Sequence, residues 1–267
     1  MEPFIRIEAL GKTYPGKAGP AVILQNVNLT VNKGQFVCLI GHSGCGKSTL
    51  LNLIGGLIPP TSGVLEIAGH PVSGVRQNMG YVFQNYSLLP WLTVYQNVFQ
   101  AVDSVFEFTM LKAEKHALVK DFLVKVNLWD HQSKKPGQLS GGMRQRVAIA
   151  RAFAIQPELL LLDEPFGALD ALTKNAMHEE LLKIWRLGRE DGRQTVVMVT
   201  HDIDEAIFLA DRIVVLSDGP GATVGEIIDI PIERPRVKKT VLHHEQYTPI
   251  KDKLISLLTE TYSGGAP

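Results

Sequence analysis

Cys38 and Cys45 are the only cysteines in the 267-residue chain. Two are too few for a disulfide framework, and their spacing does not suit a metal site, so a reducing compartment is expected. Neither charge sign prevails, because 27 lysines and arginines face 27 aspartates and glutamates. Without a basic excess the chain lacks the electrostatic footprint of a nucleic-acid binder, and any phosphate binding must be local. No apolar run approaches the length of a membrane span. The opening "MEPFIRIEAL" lacks the basic and apolar regions of a signal peptide, so the chain is expected to stay in the cytoplasm. Internal repeats and low-complexity tracts are also missing. With 45% hydrophobic and 20% charged residues, the composition is that of a globular protein with a sizeable core.

What is present is a repeated form. "QFVCLIG" (35–41), "ELLLLDEP" (158–165), "QTVVMVTHD" (194–202) and "RIVVLSDG" (212–219) each begin as an almost continuous apolar run and end in glycine or polar residues. Strands buried on both faces read this way. Met177, Leu181, Ile184 and Trp185 follow an i, i+4, i+7, i+8 spacing that makes one apolar helical stripe. Alternating strands and helices predict an α/β core with a parallel sheet. Two regions depart from it. "FIRIEAL" and "AVILQNVNLTV" read as an antiparallel β subdomain, and residues from about 86 to 155 read as a helical subdomain. Residues 231–267 form a basic, proline-rich linker and then an amphipathic helix from Pro249 through Ile250, Leu254, Leu257 and Leu258. Its polar face is mixed in charge, so it is expected to pack on the body rather than on a membrane.

"GHSGCGKST" (41–49) matches G-x-x-x-x-G-K-[ST] and lies between a predicted strand and the helical run "TLLNLIGGL". That context predicts a nucleotide phosphate loop made of Gly41, His42, Ser43, Gly44, Cys45 and Gly46. Lys47 would reach the β and γ phosphates, Ser48 would hold Mg²⁺, and Thr49 would donate to the α phosphate. A carboxylate ending the buried run "LLLLDEP" needs a partner, and Mg²⁺ held by Asp163 through water supplies one. Glu164 projects differently and can orient the attacking water. His201 also ends a predicted strand, where ligands of α/β sheets collect, and is placed to contact the γ phosphate. Gln84 in "YVFQNY" is a further strand-end candidate for Mg²⁺ and water. Cys45 lies near a helix N-terminus, which can lower a thiol pKa, but an inert thiol is favoured over a redox role. "LSGGMRQR" (139–146) puts Ser140, Gly141 and Gly142 ahead of a helix, and eight residues alone do not separate a plain N-cap from an anion site.

Taken in order, the 41–49 loop, Gln84, "LSGGM", "LLLLDEP", "GALD" and His201 resemble the ATP-binding cassette family over nearly the whole chain. The resemblance implies a P-loop NTPase core over residues 1–230, with ATP and Mg²⁺ as cofactors. It also implies that Ser140 and Gly142 face the γ phosphate bound to a second cassette. Met143 stands where the family most often has glutamine. Tyr14 in "KTYPG" would stack on adenine, with a structural tyrosine as the alternative, and Asp170 would lie in the loop between paired sites. "FQNYSLLPWLTVYQNV" and "GPGATVGEI" are similar to importers of nitrate, sulfonates, taurine and bicarbonate, most of all to the nitrate and bicarbonate branch. The resemblance implies an ATPase energising uptake of a small anion, nitrate first, with bicarbonate or sulfonate and taurine import as alternatives and an exporter ATPase left open. The partners implied are transmembrane permease subunits, an external substrate-binding protein and a second cassette. The second cassette is expected to be a different, longer chain, with a homodimer as the alternative, because the stretch after "RPR" (234–236) is too short for a ligand-sensing domain. The location implied is the cytoplasmic face of the inner membrane. Leu89 and Trp91 are expected to be partly exposed, lining a groove for the permease. A chromosome or repair ATPase would carry a long coiled coil before the signature, and residues 85–138 have no sustained heptads.

Overall fold

The structure, a computed structural model, describes residues 2–16, 19–167, 169–187 and 194–263. Ala168 of "GALD" and the last four residues of the 231–267 segment lie outside the described residues. The chain divides into two compact units. One takes the residues up to Arg76 and those from Thr195 onward, and the other is Gln77–Gln194. The first unit begins with β1 (Ile5–Tyr14), β2 (Ala21–Val31), β3 (Phe36–Ile40), α1 (Lys47–Ile54), β4 (Ser62–Ile67) and the short β5 (His70–Pro71). The second holds β6 (Met79–Val82), α2 (Val94–Val105), α3 (Lys112–Lys125), α4 (Gly141–Ala154), β7 (Leu159–Asp163) and α5 (Ala171–Leu187). The first then resumes with β8 (Thr195–Val199), α6 (Ile203–Leu209), β9 (Arg212–Leu216), β10 (Val224–Asp229), α7 (Lys238–Leu242) and α8 (Tyr247–Ser263).

In the first unit β2, β1, β4 and β5 form an antiparallel sheet, the β subdomain expected from the sequence. Along β1, Ile5 and Ile7 turn inward while Arg6 and Glu8 face water, the period of a half-buried strand. The core strands behave differently. All five residues of β3 and of β8 are buried, which the unbroken apolar runs predicted. Each large side chain such as Phe36 or Leu39 contributes about 1.5–3 kcal/mol on burial. Strand β3 runs parallel to both β8 and β9, with Leu39 opposite Val199 and Ile40 opposite Val215. That register opens the segments after β3, β8 and β9 on one edge of the sheet, where ligands of such sheets bind.

The second unit repeats the arrangement on a smaller scale. Strands β6 and β7 are parallel with Val82 opposite Leu162, so Gln84 and Asp163 also follow one edge. The predicted stripe of α5 is buried at Met177, Leu181, Ile184 and Trp185. The Trp185 indole N–H donates to the Gln194 carbonyl at 2.7 Å. Helices α2, α3 and α4 supply the helical region expected from the sequence. Asn97 of α2 is buried and fixes the turn before it. Its Nδ2 donates to the carbonyls of Leu89, Leu92 and Thr93, and its Oδ1 accepts from the Leu89 N–H. Held there, Leu89 is half-buried and Trp91 is 65% exposed, the partial exposure expected.

The C-terminal segment is tied to the first unit by Arg236, which is only 7% exposed. Its guanidinium donates to the carbonyls of Ile207, Phe208 and Ala210 at the end of α6, and to those of Ile230 and Ile232. A cation at a helix C-terminus meets the negative end of the dipole and carbonyls without helical partners. Burial and the neighbouring Arg234 lower its pKa to about 10, so it remains charged at neutral pH. Arg236→Met leaves several buried carbonyls unpaired, and urea denaturation should show a loss of about 3 kcal/mol. A change under about 0.5 kcal/mol would mean that water or neighbouring groups replace the guanidinium.

Candidate functional site

The 41–49 loop leaves β3 at its buried end and turns into α1 through Gly46, whose φ is 106°. That conformation favours glycine, and a Cβ there would also press within 2.9 Å of the end of the Leu24 side chain. The consequence is chemical. Gly46 is the N-cap of α1 and no side chain caps that helix, so the positive end of its dipole faces the loop, an arrangement that suits an anion. Gly44 has φ 80°, and a Cβ there would meet nothing within 4 Å, so the crest of the loop is open. Lys47 is 4% exposed, and its Nζ donates to the loop carbonyls of Gly41 (2.9 Å) and His42 (2.6 Å). A buried ammonium bonded to neutral carbonyls, beside an uncapped helix start, suits a polyphosphate.

Around the loop, Ser43 is exposed while Ser48 and Thr49 are half-buried. A cavity of about 890 Å³ opens beside it, lined by Ala21, Val22 and Ile23 of β2, by His42 and Ser43, and by the 218–221 turn. Tyr14 does not line this cavity. It ends β1 at 37% exposure, with the Lys12 ammonium 4.9 Å from its ring centroid. His201 follows β8 and is exposed. Its turn is fixed by groups that sequence reasoning missed: the Asp202 N–H donates to Thr200 Oγ1 at 3.0 Å, and the Asp202 carboxylate caps α6 by accepting from the Glu205 N–H. The buried Thr200 hydroxyl donates to the buried Glu205 carboxylate.

The second unit gathers the carboxylates. Asp163 is buried at the end of β7, and Glu164 follows in the left-handed region at φ 45°. A non-glycine residue there is strained, a feature that concentrates at functional sites. Gln84 Nε2 donates to Glu164 Oε2 at 2.9 Å, bringing together two residues that the sequence placed at separate strand ends. Burial, with the Asp163 charge added, pushes the Tyr81 phenol well above its usual range. Ser140 is exposed and caps α4, its Oγ accepting from the Met143 N–H at 3.3 Å. A Cβ on Gly142 would lie 3.0 Å from the Leu169 side chain, so Gly142 packs against the turn that carries Asp170. Asp170 itself caps α5 through the N–H groups of Leu172 and Thr173. Bonds from Thr173, its side chain first, hold the Asp170 carboxyl below its ordinary range.

Cys45 follows the inert reading. The helix start at Gly46 does not bring its thiol pKa below the ordinary value. Burial pushes it up and outweighs the attraction of the Lys47 ammonium.

The profile of the ABC transporter family matches residues 24–167, more than half of the chain. The chain belongs to the ABC transporter family. Among curated relatives, this cassette is 52% identical to the bicarbonate transport ATP-binding protein CmpD of Synechocystis sp., over 97% of this chain and 90% of that one. It is 48% identical to the nitrate import ATP-binding protein NrtD of Synechococcus elongatus, over 97% and 93% respectively. Among solved structures it is similar to the dimeric, post-hydrolysis ATP-binding cassette MJ0796 bound to ADP and Pi. That likeness has a TM-score of 0.75 and 36% identity, covering 86% of this chain and all of that one. The cassette is an ABC transporter ATPase of α/β, P-loop NTPase fold.

Both cysteines of the cassette are buried, Cys45 at 3% exposure, and both thiols are pushed up by burial. A thiol with a raised pKa stays protonated at neutral pH and reacts only after opening or at high pH. Alkylation of the native cassette at pH 7.5 should therefore track its unfolding. Rapid modification of Cys45 in the folded chain would contradict this.

Proposed function

We propose that this cassette binds ATP with Mg²⁺ and hydrolyses it to energise the import of a small planar oxyanion, nitrate in first place and bicarbonate as the alternative. The observation that carries the nucleotide reading is the start of α1, which no side chain caps, behind the open glycine loop, with the Lys47 ammonium held on the loop carbonyls of Gly41 and His42. In the first unit the N–H groups of residues 41–49, with Ser43 and Thr49, would take phosphate oxygens. Lys47 would bind the β and γ phosphates, Tyr14 would stack on adenine, and His201 would meet the γ phosphate. In the second unit Glu164 would orient water, positioned by its bond from Gln84. Ser48, Gln84 and Asp163 are the residues that would hold Mg²⁺, which neutralises phosphate charge when bound.

Exposed Ser140, with Gly141 and Gly142, would serve the γ phosphate of a second cassette, and Asp170 would lie in the loop between the paired sites. The cap that Ser140 makes through Oγ is compatible with this, because a hydroxyl retains its own O–H for donation. A dimeric solved relative supports pairing. The resemblance to the nitrate and bicarbonate branch favours a different, longer partner cassette. Leu89 and exposed Trp91, on the turn fixed by Asn97, are assigned to the permease, which would place the cassette peripherally on the cytoplasmic face of the inner membrane. A separate binding protein would deliver the anion. Relatives named for nitrate and for bicarbonate, at near-equal identity, support the oxyanion class.

Glu164→Gln retains an oxygen to accept from Gln84 but removes the carboxylate. MgATP binding should persist while single-turnover hydrolysis slows by about 10²–10³-fold. Hydrolysis at the wild-type rate would remove Glu164 from the mechanism.

A further inference from the structure

Helix α8 touches the ligand edge of the first unit at two points. Near its start, the Tyr247 hydroxyl donates to Asp204 Oδ1 at 2.7 Å, and Lys251 Nζ lies 2.7 Å from the same oxygen. Asp204 stands in the first turn of α6, three residues after His201. Further along, the Leu258 carbonyl oxygen is 2.5 Å from His42 Nε2. A carbonyl only accepts, so the imidazole donates and Nε2 carries a proton in this arrangement. Asp218 Oδ1 lies 3.8 Å from the same nitrogen and has no hydrogen-bond partner among the described residues. The side chain of the second loop residue is thus held between a carboxylate and the helix.

The two contacts belong to one rigid body. Residues 247 and 258 are about 16 Å apart along a helix. Between them Ile250 and Leu254 are buried against the unit, and Lys253 pairs with Glu226 of β10. Tyr247, Lys251, Leu254 and Leu258 recur at three- and four-residue intervals, so one face of α8 carries both ties and the apolar anchor. A helix needing only to cover apolar surface could do so through Ile250 and Leu254. The polar ties add geometry, with the His201 turn at one end and the phosphate loop at the other.

We propose that α8 is a positioning element of the ATPase site, resting on the nucleotide reading above: its Asp204 ties set the His201 turn for hydrolysis, and its hold on His42 sets the phosphate loop for binding. Tyr247 and Lys251 are then positioning residues, and their loss acts on turnover more than on affinity. The test is made on the full chain with MgATP. Tyr247→Phe with Lys251→Met should lower kcat about fivefold while leaving the Kd for MgATP within about twofold, and Lys251→Arg alone should retain wild-type kcat. His42→Ala should instead raise the Kd about fivefold. Amide hydrogen exchange gives a readout independent of ATP, rising over residues 200–205 in the double variant and over 41–49 in His42→Ala. Unchanged exchange in both segments overturns the proposal. So does a loss of activity matched by an equal loss of folded protein, because that is packing alone. A wild-type chain that fails to bind MgATP overturns the nucleotide reading and with it the role given to α8.

Discussion

Everything assigned to the first unit depends on a helix that starts without a cap. Most helices satisfy their first N–H groups with a serine, threonine or aspartate side chain, and this chain does so at Thr93, Ser140 and Asp202. At α1 it places Gly46 instead, in a left-handed conformation that strains any side-chain-bearing residue. With no side chain placed over that end, the positive end of the helix dipole faces the loop, and Lys47 adds its charge beside it. Strand β3 makes this tolerable. Five buried residues paired in parallel on both sides anchor the loop at one end, and the apolar face of α1 anchors it at the other. A rigid frame lets the left-handed backbone at Gly44 and Gly46 persist.

The second unit follows the same logic with a carboxylate. Strand β7 delivers Asp163 in regular extended backbone, and the next residue turns into the left-handed region, so Glu164 leaves the strand in a new direction. Its bond from Gln84 fixes that direction. A side chain intended only for solvent would need neither the strained backbone nor the partner.

Which features were legible depends on how local their causes are. Strands β3, β7, β8 and β9 could be read as apolar runs because both of their faces are buried. The α5 stripe could be read because helical spacing alone determines it. The 41–49 loop was legible because its glycines are demanded by backbone geometry within the loop. Contacts made across long sequence separations were not. Asn97 as the clamp on the Trp91 turn, Arg236 as the cap of α6, and His42 as the partner of Leu258 all depend on tertiary placement. Cys45 shows the limit most clearly. A helix start nearby favours the thiolate, but burial, which no local pattern reveals, acts in the opposite direction and prevails. At Ser140 the two sequence readings are compatible, because capping uses the oxygen as an acceptor and leaves the hydroxyl proton.

The central claim is that the uncapped start of α1 and the Lys47 ammonium form a site for nucleotide phosphates. Isothermal titration calorimetry of the full chain with MgATP, beside Lys47→Ala, tests it most directly. Wild type should bind with measurable heat, and the variant should lose at least about tenfold in affinity, because it removes the cation and leaves only backbone donors. Equal affinity in both chains would contradict the account.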